Sequence, residues 1–194
     1  MKKKSLVITL ASIAAIGAIG IGSTFAYFTD SKDATNSFTL GDIEISLTEP
    51  SWKEANGVNI LPLQTIAKDP TVKNTGDNDA YIFLKITVPT AEVKAEGDDA
   101  ASVQELFTLN EVSANWTQIS HTTGEYVFAY NSVVAPEKST DALFKSVTLI
   151  NLVEGDYSAI ESLDIDVDAY GVQTVSFDSA SAAWAATFGA TTAE

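Results

Sequence analysis

Apolar and polar residues alternate one by one in three separate stretches of this chain, and this pattern constrains the fold more than any other feature. The alternation runs through residues 42–48, 80–88 and 162–169. A period of two places successive side chains on opposite faces of a β-strand, so each stretch predicts a strand with one face against a core. The Asn, Asp and Gly cluster at residues 74–79 and the proline at Pro89 favour turns at the two ends of the second strand.

Shorter patterns predict further strands. Residues 115–121 and 125–130 are typical of a hairpin whose second arm carries aromatic residues on one face. Two more strands are predicted over residues 69–73 and 143–152, and the strand that begins at residue 162 is predicted to extend to residue 175. Many short antiparallel strands with little helix predict an all-β fold, a β-sandwich of Greek-key or jelly-roll type.

One or two short helices are expected beside these strands. The first lies near residues 102–107, at the end of a charged surface excursion. The second covers residues 180–186, with Asp178 as the cap of its first turn and Gly189 at its end. Trp184 lies on this helix and is expected to pack with the aromatic ring four residues later.

The first 26 residues carry the parts of a signal peptide. Three lysines, Lys2–Lys4, precede an apolar run over residues 6–21. A helix that spans a bilayer needs about 20 apolar residues, so a permanent membrane anchor is the weaker alternative. Small side chains at Thr24 and Ala26 fit a signal peptidase, which predicts cleavage after Ala26 and a mature chain that begins at Tyr27.

The mature chain is predicted to be one strongly acidic domain. Without the leader lysines, eight lysines face 26 acidic residues, a net charge of −18. Nucleic acid is excluded as a partner because phosphate binding draws on clustered Lys and Arg, and a membrane contact is expected only through the leader before cleavage. We interpret the acidity as a source of solubility outside the cell, with cation binding or controlled self-association as the alternatives.

The sequence offers no recognisable catalytic centre. Its only histidine is His121, and it lacks both cysteine and the His-Glu-x-x-His zinc motif. We therefore predict no enzymatic activity, no catalytic residue and no cofactor, and we interpret His121 as an ordinary surface residue.

Two groups of carboxylates are weak candidates for calcium binding. Asp164, Asp166 and Asp168 alternate with apolar residues, so their side chains line one face of a strand. Asp77 and Asp79 lie in the turn cluster. Calcium prefers oxygen ligands, but neither group has the spacing of an EF-hand loop, and a solvated acidic surface is the default interpretation.

Several segments together resemble the TasA and camelysin family of exported biofilm-matrix proteins. They follow one another along nearly the whole chain. The segments are Thr24-Phe25-Ala26-Tyr27-Phe28-Thr29-Asp30, residues 31–36, Phe38-Thr39-Leu40-Gly41-Asp42-Ile43, Val72-Lys73-Asn74-Thr75-Gly76 with Ala80-Tyr81, residues 136–144, Ala169-Tyr170-Gly171-Val172-Gln173 and Trp184.

The resemblance implies a jelly-roll sandwich and export, with cleavage by a dedicated endoplasmic-reticulum-type signal peptidase. It implies that the secreted subunits assemble into fibres of the extracellular matrix or cell surface, with an accessory matrix protein as a further partner. The chain then divides into a signal peptide (1–26), an N-terminal segment (27–41) and a sandwich domain (42–194).

In such fibres the N-terminal segment of one subunit is expected to complete a sheet of the next. An added strand satisfies unpaired backbone groups at a sheet edge, while its side chains fill alternate pockets. The donor-strand candidates are Tyr27, Phe28, Phe38 and Leu40. The alternative is that this segment folds back onto its own subunit or stays disordered.

Two other functions remain open. Camelysin-type proteins have been classed as metallopeptidases, although no zinc ligands are visible in this sequence. A cell-surface adhesin or carbohydrate-binding sandwich is the third class, and it predicts glycan binding without filaments.

Overall fold

The computed structural model describes residues 43–153 and 159–189. The predicted leader, its cleavage site at Ala26 and Tyr27, and the donor candidates Phe28, Phe38 and Leu40 lie outside these residues. The strands are β1 Ile45–Thr48, β2 Thr65–Ala67, β3 Thr71–Asn74, β4 Ala80–Thr87, β5 Thr90–Val93, β6 Ser102–Glu105, β7 Phe107–Asn110, β8 Trp116–Thr122, β9 Glu125–Tyr130, β10 Ser146–Leu149 and β11 Asp166–Gln173. A 3-10 helix, Glu54–Gly57, precedes β2, and helix α1, Ala180–Phe188, follows β11.

Antiparallel strands form two main sheets and two strand pairs. The larger sheet has the order β11-β4-β9-β8, and the smaller has the order β2-β10-β7. β1 pairs with β3, and β5 pairs with β6. Apolar residues from both main sheets fill one core, so the predicted all-β sandwich is confirmed.

β4 lies inside the larger sheet and is covered on both faces. Ile82, Leu84 and Ile86 are fully buried in the main core, as the alternation predicts. On the opposite face, Phe83 is also fully buried, because α1 packs over it. The ring centres of Phe83 and Trp184 are 5.1 Å apart.

Helix α1 is present where the sequence predicts it, but its cap differs. The Oγ atom of Ser179 accepts a hydrogen bond from the Ala182 amide at 3.2 Å, so Ser179 is the N-cap and the prediction of Asp178 was wrong. Asp178 and Ser179 are adjacent in sequence, and both residue types can cap a helix. Gly189 ends the helix with a φ of +89°.

The helix predicted near residues 102–107 was also wrong. That stretch forms β6 and the start of β7, and β6 pairs with β5 in a hairpin. Val93 is fully buried although charged and alanine residues surround it in sequence. Pairing of β6 with β5 therefore overrides the helical propensity of residues 102–107.

The other predicted strands are present, several with shorter bounds. The hairpin of β8 and β9 is confirmed, and β3 matches the strand predicted at 69–73. The strand predicted at 162–175 is paired only from Asp166 to Gln173. The three-residue strand β2 was not predicted, because so short a stretch carries no clear period.

Candidate functional site

The sandwich has two seams where edge strands of the two main sheets face each other across a cavity. β2 and the start of β11 flank the first, which we call the β2–β11 seam. β7 and β8 flank the second, the β7–β8 seam. Edge strands present unpaired backbone groups, so these seams are the places where another strand can add.

The β2–β11 seam opens onto the core. Its cavity has a volume of about 440 Å³. The buried side chains of Ile66, Phe107 and Val147 reach it, and the half-buried Leu163 and Ile165 form part of its wall. An apolar side chain that entered this cavity would therefore contact the core of the sandwich.

The backbone of residues 160–165 along this seam lies outside the sheet ladders of the described residues, although the Asp164 amide donates to the Ser162 hydroxyl at 2.9 Å. Residues 160–165 precede the ladder with β4, which starts only at Asp166, and within them residues 162–165 show the alternating exposure of a strand. In the part of the chain that the structure covers, their backbone forms no hydrogen bond with another backbone group. Among the described strands, β2 on the opposite side is paired with β10 alone. The seam therefore has donors and acceptors for one additional strand.

A buried ion pair lies at the same seam. Lys68 is 7% exposed, and its Nζ atom lies 2.9 Å from Oε1 and 3.0 Å from Oε2 of Glu49. The same Nζ is 5.2 Å from the centre of the Trp52 ring, which is a cation–π distance. The burial of Lys68 was not predicted, since a single lysine in a polar stretch carries no signal of burial.

The β7–β8 seam has a cavity of about 490 Å³, but its edges are protected. β8 carries an irregularity between Gln118 and Ser120, which interrupts its ladder with β9, and such bulges discourage edge pairing. The side chain of Glu105 also occupies this seam. The two seams therefore differ within the described residues: the first has backbone groups without a backbone partner, and the second has an irregular edge strand and the Glu105 side chain.

Glu105 joins β6 to the β8–β9 hairpin. Its Oε1 accepts a hydrogen bond from the Gly124 amide at 2.7 Å, and its Oε2 accepts one from the Tyr126 hydroxyl. Burial alone would raise the pKa of Glu105, but the hydrogen bonds from Tyr126, Gly124 and His121 prevail and lower it. Burial and the Glu105 carboxylate raise the pKa of Tyr126 to about 12.

His121 belongs to this cluster. Its Nε2 lies 3.2 Å from Oε1 of Glu105, and its ring stacks on that of Tyr126 with centres 4.2 Å apart. The ring is 44% exposed, so the predicted surface location holds, with a structural contact added. The contact with Glu105 could not be predicted, because Glu105 lies on a different hairpin.

The described residues do not fit a catalytic zinc site. Such sites use three protein ligands drawn from His, Cys, Asp and Glu. No group of three such side chains occurs within residues 43–153 and 159–189 in an arrangement that could hold a metal ion. The one histidine of the chain contacts a glutamate whose two oxygens already accept hydrogen bonds.

The carboxylates proposed for calcium lie on the surface, as predicted. Asp164, Asp166 and Asp168 are exposed on one face of β11 and the residues before it. Asp77 and Asp79 are exposed in the turn after β3, which the buried Asn74 holds through hydrogen bonds from its Nδ2 to the carbonyls of Asn78 and Val134. Calcium binding at either place stays a prediction.

Comparison with protein families matches residues 1–161 to the family described as camelysin metallo-endopeptidase. Comparison with curated proteins and with solved structures gave no match. Across the residues with described structure, no helix has the length and apolar character needed to cross a bilayer.

Proposed function

This chain belongs to the camelysin metallo-endopeptidase family, and from that premise we propose that it is a secreted structural subunit that assembles into extracellular fibres. In this proposal a signal peptidase cleaves after Ala26, and the N-terminal segment 27–41 of one subunit adds as a strand to the next. The resemblance of the same segments to fibre-forming matrix proteins supports the assignment.

The observation that carries the proposal is that, within the described residues, the backbone of residues 160–165 along the β2–β11 seam has no backbone partner. A donor strand would satisfy these groups and those of the outer edge of β2. Its apolar side chains, from among Tyr27, Phe28, Phe38 and Leu40, would enter the cavity above Ile66. Full burial of one large apolar side chain contributes about 1.5 to 3 kcal/mol, so several such contacts would offset part of the free-energy cost of association.

The proposal is tested with purified residues 27–194 and electron microscopy. Filaments are expected from the mature chain and not from the same chain lacking residues 27–35. Monomers in both samples at high concentration would contradict the proposal.

A matched pair of variants tests which seam accepts the strand. Leu163 lines the β2–β11 seam and Leu109 lines the β7–β8 seam, and both are half-buried. Leu163→Ser is expected to abolish filaments, while Leu109→Ser leaves them. Circular dichroism of both monomers controls for folding, and the reverse result would move the acceptor to the second seam.

The family description also names a metallo-endopeptidase activity. The described side chains do not supply a zinc site, so we assign no reaction to them. Casein cleavage that disappears with a chelator would revive the enzymatic function, and glycan retention without filaments would favour an adhesin.

A further inference from the structure

An apolar loop is exposed between the 3-10 helix and β2. We call residues 58–63 the leucine loop. Val58, Leu61 and Leu63 are 63%, 68% and 61% exposed. From residue 57 to residue 67 the sequence has no charged side chain, although the chain as a whole carries 37 charged residues and a net charge of −15.

The backbone of the leucine loop is strained at one of these exposed residues. Leu63 has a φ of +63° and Asn59 has a φ of +55°. Asparagine accepts the left-handed region, but for a residue such as leucine it costs about 1 to 2 kcal/mol. Strain of this kind persists where the surroundings impose it, and it marks positions of functional interest.

Hydrogen bonds hold the loop in this conformation. The Leu63 amide donates to the Leu149 carbonyl at 2.9 Å, and the Gln64 amide donates to the Leu61 carbonyl at 3.0 Å. The side chain of Gln64 accepts from the Leu61 amide at 2.9 Å. The backbone that carries the exposed leucines is therefore already ordered, so it loses little conformational entropy on binding.

The leucine loop is continuous with the proposed acceptor seam. Beneath it lies an apolar cavity of about 350 Å³, lined in part by Leu61 and Pro62. Ile60 and Leu163 line both this cavity and that of the β2–β11 seam. The acceptor seam and the leucine loop therefore share part of one apolar surface.

We propose that the leucine loop is the contact site for the body of a second copy of this chain, the copy whose N-terminal strand occupies the adjoining seam. This inference rests on the proposed function. Two copies of a strongly acidic chain repel each other, so their bodies approach most readily where charge is absent. Six residues are far fewer than the roughly 20 to 30 per partner of a stable interface, so the loop strengthens the strand contact and does not dimerise the chain alone.

The test variant is Leu61→Ser combined with Leu63→Asn in residues 27–194. Asparagine accepts the left-handed backbone at position 63, so the monomer is expected to melt at the same temperature as the wild type or higher. The concentration needed for filaments is expected to rise about tenfold. Val175→Ser is the matched control, because Val175 is 88% exposed and lies outside the loop; it should leave that concentration unchanged.

The outcomes separate this inference from the proposed function. If the wild type forms no filaments, the proposed function fails. If the wild type polymerises and the double variant does so at the same concentration, only the role of the leucine loop is overturned. A third outcome would also overturn the role of the leucine loop in assembly. If the wild type binds phosphatidylcholine vesicles and the double variant does not, while both form filaments at the same concentration, the loop is assigned to a lipid surface.

Discussion

One carboxylate, that of Glu105, ties together two hairpins that are separate in sequence. It accepts hydrogen bonds from the Gly124 amide and the Tyr126 hydroxyl, and it lies beside the only histidine. These contacts lower its pKa, so the folded state binds a proton at Glu105 less readily than the unfolded chain does. At the residue scale, this cluster is where the stability of the sandwich depends most clearly on pH.

Replacing Glu105 with glutamine is expected to lower the free energy of unfolding at pH 7 by about 1 to 2 kcal/mol, because hydrogen bonds to a charged acceptor are lost. A lowered folded pKa gives a contribution that is complete above the usual value of 4.5 and is lost as the pH falls through the folded pKa. The difference between wild type and variant should therefore shrink below pH 4.5, as measured by urea unfolding at pH 7 and pH 3.

Glu111→Gln is the control for this prediction. Glu111 forms a surface ion pair with Lys145, and both side chains are more than 60% exposed. Its replacement should change stability by less than about 1 kcal/mol. A constant difference between wild type and Glu105→Gln at both pH values would contradict the assigned role of Glu105.

Single elements differ in how far the sequence determines them. Strands with a clear two-residue period of apolar side chains, such as β1 and β4, were predicted because their own residues indicate which face is buried. β6 was mistaken for a helix because its conformation depends on pairing with β5. The β2–β11 seam could not be predicted for a related reason: it is defined by backbone groups without a backbone partner among the described residues, and no residue type encodes a missing partner.

The candidate site residues also differ in whether their positions could be predicted from the local sequence. Asp164 and its neighbours could be placed on a strand face from alternation alone. Lys68 and Glu105 could not be found, because their burial depends on side chains 19 to 21 positions away in sequence.

The corrected helix cap gives a prediction at the scale of one element. Ser179→Ala is expected to destabilise the fold by about 1 kcal/mol, because the Ala182 amide loses its acceptor. Asp178→Ala, one residue earlier, should have a smaller effect. Thermal unfolding of the two variants decides between the caps, and a larger loss for Asp178→Ala would restore the cap predicted from sequence.

The charge of the whole molecule should govern the rate of assembly. Copies with a net charge of −18 after leader removal repel each other. Between 10 mM and 150 mM salt the screening length falls from about 30 Å to about 8 Å. The lag before filament growth, followed by light scattering, is therefore expected to shorten as sodium chloride increases.

Calcium and magnesium chloride at matched ionic strength provide the control. Equal acceleration by both salts indicates screening alone. A much stronger effect of calcium, reduced by Asp166→Asn, would instead support a calcium site on the β11 face.

The difference between the two seams has a consequence for the geometry of any polymer. In the proposed assembly, the β2–β11 seam accepts one strand, the β7–β8 seam accepts none, and each chain donates one N-terminal segment. Each copy would then bind two neighbours, one through its donor segment and one through its acceptor seam. Such head-to-tail contacts join different surfaces and do not pair a surface with itself. The resulting thread would be unbranched and polar, with ends that differ chemically, so capping one end would stop growth there while the other continued.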